Sequence, residues 1–286
     1  MAAKPIMIQG TASGVGKTIL TMALCRIFSQ DGFKTAPFKA QNMTSNTAFL
    51  ENGDEIAISQ LLQANAAQTE PRALMNPLIL KPLPESNLIQ VILNGKPYGR
   101  MSSVEFMKIR TYFSKIISKS YSYLSGRNDI IVIEGAGSPA ELNLNRDDIV
   151  NMGMAKLANA PVLLISDIDR GGVFASIYGT VNILDKQSRK YIKATAVNRF
   201  KGDISSFSEG AAILERITGL PVAGVIPYVR FSIPEEDALF DGRDKPEIQN
   251  VDQDSQFDLI AKTVRESLNM DLIYKIINDG MAECDE

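Results

Sequence analysis

The chain has 286 residues, of which 45% are hydrophobic, and its formal net charge is −3. This length and hydrophobic fraction predict a folded protein with a sizeable core, and the small net charge gives no sign of binding to nucleic acid or to an acidic membrane surface. Histidine is absent, which excludes Ser–His and Cys–His nucleophile systems and histidine-based metal sites.

The N-terminal residues lead directly into the first predicted strand, Ile6–Gln9. They lack the apolar region of a signal peptide, and no segment reaches the roughly 18 to 20 uninterrupted apolar residues of a membrane span. Cys25 and Cys284 are too few to indicate a disulfide scaffold. We therefore expect a cytoplasmic protein that has no membrane partner.

A glycine-rich loop, Gly10-Thr-Ala-Ser-Gly-Val-Gly-Lys17-Thr18, follows this strand and precedes the predicted helix Lys17–Gln30. Glycines allow backbone amides to converge on phosphate oxygens, and the helix N-terminus adds its positive dipole end. We expect Lys17 to neutralise the β- and γ-phosphates of ATP and the Thr18 hydroxyl to bind Mg²⁺. The loop predicts a nucleotide site formed by Thr11, Gly14, Val15, Gly16, Lys17 and Thr18.

The spacing of this loop departs from the plain GxxxxGK[ST] pattern. Gly10 lies one residue too early, and Thr11 occupies the usual position of the first glycine. Switch ATPases of the partition type carry a second lysine early in the loop, where this sequence has Thr11 and Ala12. The loop therefore argues against that class.

A lysine and two amides follow the predicted strand Thr35–Phe38. Lys39, Gln41 and Asn42 form a suitable receptor for phosphate and carboxylate oxygens, although a solvated loop is the alternative. We expect Lys39 to be catalytic, and Gln41 and Asn42 to face the substrate.

Two positions offer carboxylates to a magnesium ion. Glu134 ends the apolar strand Ile130–Glu134 and is followed by glycines, which is where a P-loop domain places a metal ligand. Asp54 and Glu55 precede the predicted helix Ile56–Ala67. This pair provides either a second magnesium ligand or acids that interact with the helix dipole.

Apolar strands and amphipathic helices alternate along the rest of the sequence. This pattern predicts an α/β fold with a mostly parallel sheet, P-loop NTPase-like, covered by helices on both faces, with ligands at the carboxyl ends of the strands. The remaining predicted elements are the strands Val162–Ile165, Ala194–Asn198 and Val222–Ile226 and the helices Ser103–Ser125, Ile149–Ala158, Val173–Leu184 and Glu209–Thr218.

Polar residues follow each of these late strands. Asp169 and Arg170 are candidate substrate residues, whereas Asn198, Arg199 and Pro227 are candidate contacts of the nucleotide base. Spacing alone does not distinguish these positions from ordinary turns.

The composition becomes polar near Asp241, which divides the sequence into a predicted synthetase domain at 1–240, a linker at 241–256 and a helical tail at 257–286. Apolar residues recur at helical spacing in the tail, and Ser255 is a candidate cap. The tail is either a helical pair docked on its own domain or an element that docks a partner.

The motifs together resemble a known family. GTASGVGKT is similar to the phosphate loop of the dethiobiotin synthetase superfamily, which has the same extra residue. The synthetase domain of the cobyric acid synthase family is similar over roughly residues 4 to 240, in the segments APFKAQNMTSN, MNPLILKP, VIEGAGSPAELNL, DIVNMGMAKLANAPVLLISDIDRGGVFASIYGT, VNRFKGD and GVIPY.

This resemblance implies an enzyme that uses ATP and Mg²⁺ to amidate peripheral carboxylates of cobyrinic acid a,c-diamide through an acyl phosphate, giving cobyric acid on the route to cobalamin. It implies a homodimer whose site lies near the interface. Lys17, Lys39 and Glu134 would be catalytic, and Thr18, Glu55 and Glu134 would bind the metal. Gln41 and Asn42 would face the reacting carboxylate or phosphate, Asp169 and Arg170 the corrinoid, and Asn198 the base.

Members of the family usually continue into a glutaminase domain with a Cys–His–Glu triad, and this sequence has no histidine. We therefore expect ammonia to come from a separate glutaminase subunit or from solution. An a,c-diamide synthase, whose tail looks similar, and dethiobiotin synthetase are alternative enzymes. A non-enzymatic ATPase switch is an alternative of another class, and it would turn over ATP slowly without an acceptor.

Overall fold

The computed structural model describes residues 2–143, 148–231 and 252–281. The strands in these residues are β1 Lys4–Gly10, β2 Thr35–Phe38, β3 Gln41–Met43, β4 Thr47–Phe49, β5 Glu55–Ala57, β6 Leu78–Leu83, β7 Leu88–Leu93, β8 Lys96–Met101, β9 Ile130–Glu134, β10 Val162–Asp167, β11 Ile192–Phe200 and β12 Val222–Pro227. The α-helices are α1 Lys17–Gln30, α2 Ile58–Ala66, α3 Ser103–Ser125, α4 Met152–Ala158, α5 Val173–Ile183, α6 Lys186–Arg189, α7 Ser208–Thr218, α8 Gln253–Ser267 and α9 Met270–Asp279.

A six-stranded parallel sheet in the order β12-β11-β10-β1-β9-β2 forms the centre of the fold. Successive side chains of a strand point to opposite faces, so each buried strand contributes to two cores. In β1, Ile6 and Ile8 pack with α1, α8 and α9, whereas Met7 packs in the core on the other face, which contains residues of α3, α4, α5 and α7. The predicted α/β fold with a mostly parallel sheet is confirmed.

The predicted helices agree with the structure except near their ends. The segment predicted as the helix Ile56–Ala67 begins with β5, and α2 starts at Ile58. The helix expected from Ile149 starts at Met152, because the Asp148 carboxylate accepts hydrogen bonds from the amides of Val150 and Asn151 and holds a turn there.

A second, four-stranded sheet in the order β3-β6-β7-β8 lies in a region, between Phe38 and Ile130, for which the sequence pattern predicts no strand. Only the β3–β6 pair is parallel. Leu78, Leu80 and Val91 of this sheet share a core with Phe106 and Phe113 of α3. The second sheet therefore attaches β3, which follows Lys39, to the main domain.

The two C-terminal helices pack on their own domain. Phe257, Ile260 and Val264 of α8 and Ile273 of α9 are buried in the core that contains α1. At the rim, Arg26 of α1 donates to the Asp258 carboxylate at 2.7 Å, and this hydrogen bond holds the pKa of Asp258 below its usual range.

The start of α8 differs from the sequence expectation. α8 begins at Gln253, inside the predicted linker, and its N-cap is Asp252 rather than Ser255, whose hydroxyl donates to the Asp252 carboxylate. Most of the predicted linker, residues 241–251, and the predicted domain boundary at residue 240 lie outside the described residues. None of the described helices combines the length and apolar character needed to cross a bilayer.

The connection between α8 and α9 contacts the outer edge of β12. Leu268 forms an antiparallel bridge with Gly224, and the Asn269 amide donates to the Ala223 carbonyl at 2.7 Å. A Cβ atom at Gly224 would lie 2.1 Å from the Ser267 carbonyl oxygen, so only glycine permits this approach.

We expect Gly224→Ala to lower the free energy of unfolding by about 1–3 kcal/mol, because the added methyl group overpacks this contact. Urea denaturation followed by circular dichroism measures the change. Gly179→Ala is the control: Gly179 lies exposed in α5, a Cβ there meets no atom within 4 Å, and the change should raise stability by up to about 1 kcal/mol. A Gly224→Ala variant as stable as the wild type would show that the connection does not pack on β12 in solution.

Candidate active site

The site lies at the carboxyl ends of the central strands. Because β1, β9 and β2 are parallel neighbours, their ends meet at one edge of the sheet. The register pairs Ile8 of β1 with Glu134, and Phe38 of β2 with Ile133. This register brings the phosphate loop, Glu134 and the residues after β2 together.

The glycine-rich loop joins β1 to α1 without a side-chain cap. Gly16 is the N-cap residue of α1 with φ 98°, and as a glycine it has no side chain to cap the first turn. The amides of that turn and the helix dipole thus form an anion site. A Cβ atom at Gly16 would lie 2.2 Å from Asn198 Nδ2, which donates to the Val15 carbonyl at 2.8 Å. Asn198 therefore stabilises the backbone of the phosphate loop through this hydrogen bond, in addition to lying next to Gly16.

Thr11 and Lys17 also stabilise the loop. The Thr11 hydroxyl lies 2.8 Å from that of Ser166. The Lys17 ammonium donates to the carbonyl of Ala12 at 2.9 Å and to that of Gly137 at 3.2 Å. Lys17 thus connects the phosphate loop to the loop after β9, where a triphosphate would need positive charge.

Glu134 accepts hydrogen bonds from side chains of α1, of α2 and of the segment between β2 and β3. Its Oε1 receives the Thr18 hydroxyl at 2.9 Å and the Lys39 ammonium at 3.0 Å, and its Oε2 receives Gln63 Nε2 at 2.6 Å. The side chains of Lys39 and Glu134 are only 6% and 1% exposed, so this is a buried ion pair. The backbone of Lys39 is fixed as well, because Asn76 Nδ2 donates to its carbonyl at 2.9 Å.

A cavity of about 230 Å³ opens above these groups. It joins the phosphate loop to the residues after β2 and β9, so a phosphate on the loop and an acceptor beside Asn42 would share one space. Its lining residues are Ser13, Gly14, Gly16, Lys17, Thr18, Ile19, Lys39, Asn42, Met43, Glu134, Gly135, Ala136 and Gly137.

The donor set fits a magnesium ion. Thr18 and Glu134 supply two hard oxygen atoms 2.9 Å apart, and magnesium is commonly bound by one or two protein groups together with phosphates and water. Among the described residues no group of three His, Cys, Asp or Glu side chains forms a metal site, so phosphates and water would have to supply the remaining ligands. Glu55, the other predicted ligand, is buried on β5. Its carboxylate accepts hydrogen bonds from Thr47 and Lys81, and it is not among the residues that line the cavity.

The predicted base contacts line a second, smaller cavity, which Gly16 also lines. Asn198, Arg199 and Pro227 line it, and Val264 of α8 forms part of the wall, whereas their contact with a base stays a prediction. Arg199 has φ 60° and pairs with the Asp167 carboxylate at 3.0 Å.

The predicted substrate residues are not all together. Asn42 lines the first cavity, and Gln41 lies beside it on β3 with an Oε1 atom that is buried without a hydrogen-bond partner in the described part of the chain. Asp169 and Arg170 are exposed and line neither cavity. Lys201 donates to Asp169, which raises the pKa of Lys201.

Two residues with structural roles in the site escaped the sequence prediction. Gln63 donates a hydrogen bond to Glu134. Asn151 fixes the loop after β9, because its side chain donates to the Ala136 carbonyl at 2.6 Å and accepts from the Ala136 amide at 3.1 Å. The spacing of Gln60 and Gln63 on one helix face is the signal that could have indicated a polar site beneath α2. Cys25 is not a nucleophile here: burial, followed by the charge of Glu134, strongly raises the pKa of its thiol.

Curated relatives of high similarity share a single name. The chain is 52% identical over 237 residues to "Cobyric acid synthase" of Ruminiclostridium cellulolyticum, which covers 83% of this chain and 46% of the relative. It is 48% identical to "Cobyric acid synthase" of Clostridium novyi over 241 residues, covering 84% of this chain and 48% of the relative. The chain thus spans about half the length of the curated relatives it matches.

Solved structures with similar folds are more distant. The "MinD cell division protein" of Aquifex aeolicus is 16% identical with a TM-score of 0.43, covering 92% of this chain and 98% of that one. The signal recognition particle receptor FtsY of Elizabethkingia anophelis, in complex with GDP, is 16% identical with a TM-score of 0.46, covering 92% of this chain and 64% of that one.

The family match covers most of the chain. Residues 6–238 match the family CbiA, described as "CobQ/CobB/MinD/ParA nucleotide binding domain". These residues include the phosphate loop, Glu134 and every residue that lines the two cavities except Val264 of α8. The chain therefore belongs to the CobQ/CobB/MinD/ParA nucleotide binding domain family.

Proposed function

We propose that this chain is an ATP-dependent amide synthetase that converts peripheral carboxylates of cobyrinic acid a,c-diamide, with or without its adenosyl group, to amides, giving cobyric acid in cobalamin biosynthesis. The observation that carries the proposal is the meeting of Lys17, Thr18, Lys39 and Glu134 in one cavity beside Asn42. The high identity to proteins named cobyric acid synthase supports the choice of acceptor.

The chemistry needs an activated carboxylate. A carboxylate is anionic and has a poor leaving group, so ammonia does not attack it directly. In the proposed reaction an acceptor oxygen attacks the γ-phosphorus of ATP and ADP leaves, which gives an acyl phosphate. The lone pair of ammonia then attacks the acyl carbon, phosphate leaves with the former carboxylate oxygen, and the extra proton on nitrogen passes to phosphate or water.

The residues of the chain supply position and charge for this transfer. Lys17 and the first turn of α1 hold the phosphates. Lys39 offsets negative charge between the γ-phosphate and the acceptor, whose carboxylate would lie beside Asn42 at that end of the cavity. Glu134 and Thr18 would hold Mg²⁺, which would neutralise charge on the phosphate oxygens. No histidine base is needed, because ammonia is itself the nucleophile.

The same site does not generate ammonia. The sequence contains no histidine for a Cys–His–Glu triad, and the described cysteine is buried. We propose that ammonia reaches this site from a glutaminase site outside the residues of this sequence or from solution.

Mass spectrometry tests the function. The chain is incubated with cobyrinic acid a,c-diamide, ATP, Mg²⁺ and ammonium, and each conversion lowers the product mass by the difference between a hydroxyl and an amino group. We expect a stepwise series of such products that depends on ATP and on the acceptor. Steady ATP hydrolysis that is indifferent to the acceptor, with no amide formed, would instead indicate the ATPase switch.

A further inference from the structure

Two buried glutamine side chains, Gln60 and Gln63, connect Asn42 to Glu134. Asn42 Nδ2 donates to Gln60 Oε1 at 3.0 Å, Gln60 Nε2 donates to Gln63 Oε1 at 3.5 Å, and Gln63 Nε2 donates to Glu134 Oε2 at 2.6 Å. We call Asn42, Gln60 and Gln63 the amide row. It runs from the acceptor side of the cavity to the phosphate side.

The burial of the row indicates a role beyond packing. Gln60 and Gln63 are fully buried, and Asn42 is 3% exposed. A buried amide is costly unless it is hydrogen-bonded, and an apolar side chain of similar size would fill the same space without that cost. The row ends on Glu134, the candidate metal ligand. A role in orienting this carboxylate would explain why three amides are buried in series.

The row has a fixed direction. An ionised carboxylate only accepts hydrogen bonds, so Gln63 must turn its Nε2 toward Glu134, which leaves its Oε1 facing Gln60. Gln60 must then present its Nε2 to Gln63 and its Oε1 to Asn42. The charge of Glu134 therefore favours one orientation of the Asn42 amide through two intermediate side chains. Ser59 supports this orientation, because its hydroxyl donates to Gln60 Oε1 at 3.1 Å and accepts from Asn42 Nδ2 at 3.3 Å.

We propose that Gln63 is a positioning residue that reserves one oxygen of Glu134, and that the amide row couples the nucleotide end of the site to its acceptor end. This proposal rests on the proposed function. Gln63 holds Oε2, whereas Thr18 and Lys39 contact Oε1. Oε1 is thus the oxygen presented to a magnesium nucleotide, and Asn42 lies at the acceptor end of the cavity.

Gln63→Met tests the reserved oxygen, because methionine has a similar volume and no donor. Isothermal titration calorimetry gives the Kd of a non-hydrolysable ATP analogue with excess Mg²⁺ and again with EDTA. We expect affinity to fall about tenfold with Mg²⁺, since a charge-assisted hydrogen bond is lost, and to stay unchanged in EDTA. Asn65 is a half-exposed residue of the same helix, and Asn65→Ala should alter neither the Kd with Mg²⁺ nor the Kd in EDTA.

A double-mutant cycle tests the coupling. Asn42→Ala and Gln63→Met are measured singly and together for binding of the magnesium nucleotide. If the row connects the two residues, the combined loss is smaller than the product of the separate losses, because either change already interrupts it. Separate losses that multiply would overturn the coupling.

Two results overturn the positioning role: unchanged magnesium-dependent affinity in Gln63→Met, or an equal loss with and without Mg²⁺. If Gln63→Met does not fold, Gln60→Met replaces it, with a smaller loss expected that is still specific to Mg²⁺; no loss, or an equal loss in both conditions, again overturns it. A wild-type chain that binds no nucleotide contradicts the proposed function itself. If the wild-type chain binds the nucleotide and Gln63→Met binds it with the same affinity, only the proposed role of the amide row is contradicted.

Discussion

Lys17→Ala is expected to abolish ATP-dependent amide formation while leaving the fold intact. The Lys17 ammonium is the cation inside the phosphate loop, bonded to the carbonyls of Ala12 and Gly137, and it lines the cavity. Without it, charge that develops on the phosphate oxygens is left without this neutralisation, and loss of one such contact costs on the order of 10²–10³ in rate. Amide product is counted by mass spectrometry, and circular dichroism reports the fold.

Lys34→Ala is the matched control, because Lys34 is an exposed lysine near the start of β2. It should retain wild-type amidation, which separates the effect of position from the effect of removing one positive charge. Full activity in Lys17→Ala would refute the assignment of the phosphate loop.

The second large effect concerns the ion pair between Lys39 and Glu134. Both side chains are buried and 3.0 Å apart. Replacing one of them leaves the other charge buried without its partner, which typically costs about 3–5 kcal/mol of stability. We expect Lys39→Met and Glu134→Gln each to lose stability on this scale, and each to lose amidation. Lys39→Met should lie at the lower end, because Thr18 and Gln63 still donate to Glu134.

The double variant Lys39→Met/Glu134→Gln separates stability from catalysis. It contains neither buried charge, so its free energy of unfolding should return toward the wild-type value while amidation stays absent. Urea denaturation and product mass spectra measure the two quantities on the same samples. A double variant as unstable as the sum of the single variants would show that the two charges do not form a pair in solution.

The central sheet was predictable because its strands contain short apolar runs separated by helical segments. Ile130–Glu134 is a run of buried residues that ends in one acid, and the parallel arrangement then places Glu134 beside the phosphate loop. The same reasoning predicted Lys39, which follows β2 directly. The local sequence pattern was therefore sufficient to place Lys39 and Glu134 at the same edge of the sheet.

The second sheet, and the separate antiparallel pair that β4 forms with β5, could not be predicted from pattern. β3, β4 and β5 have three residues each, which is too short to show a period. β8 reads KPYGRM and contains both proline and glycine, which normally argue against a strand. Its position depends on pairing with β7, a contact that the local sequence does not specify.

Gln63 and Glu55 show a second limit of sequence reasoning. A glutamine in a short helix ordinarily faces water, and only the packing of α2 shows that Gln63 faces Glu134. The role of Glu55 as a metal ligand stays a prediction, since in this structure its carboxylate pairs with Lys81 of β6, a strand that the pattern did not indicate.

The contact between the C-terminal connection and β12 also bears on aggregation. An outermost strand with unpaired backbone groups can recruit a strand from another molecule. At one border of the six-stranded sheet, Ala223 and Gly224 are already engaged by residues 268 and 269 of the same chain. At the opposite border, β2 is a buried strand of four residues, and Pro37 within it has no amide hydrogen to donate. Both borders are therefore poor templates for adding foreign strands, which protects the sheet from edge-to-edge association.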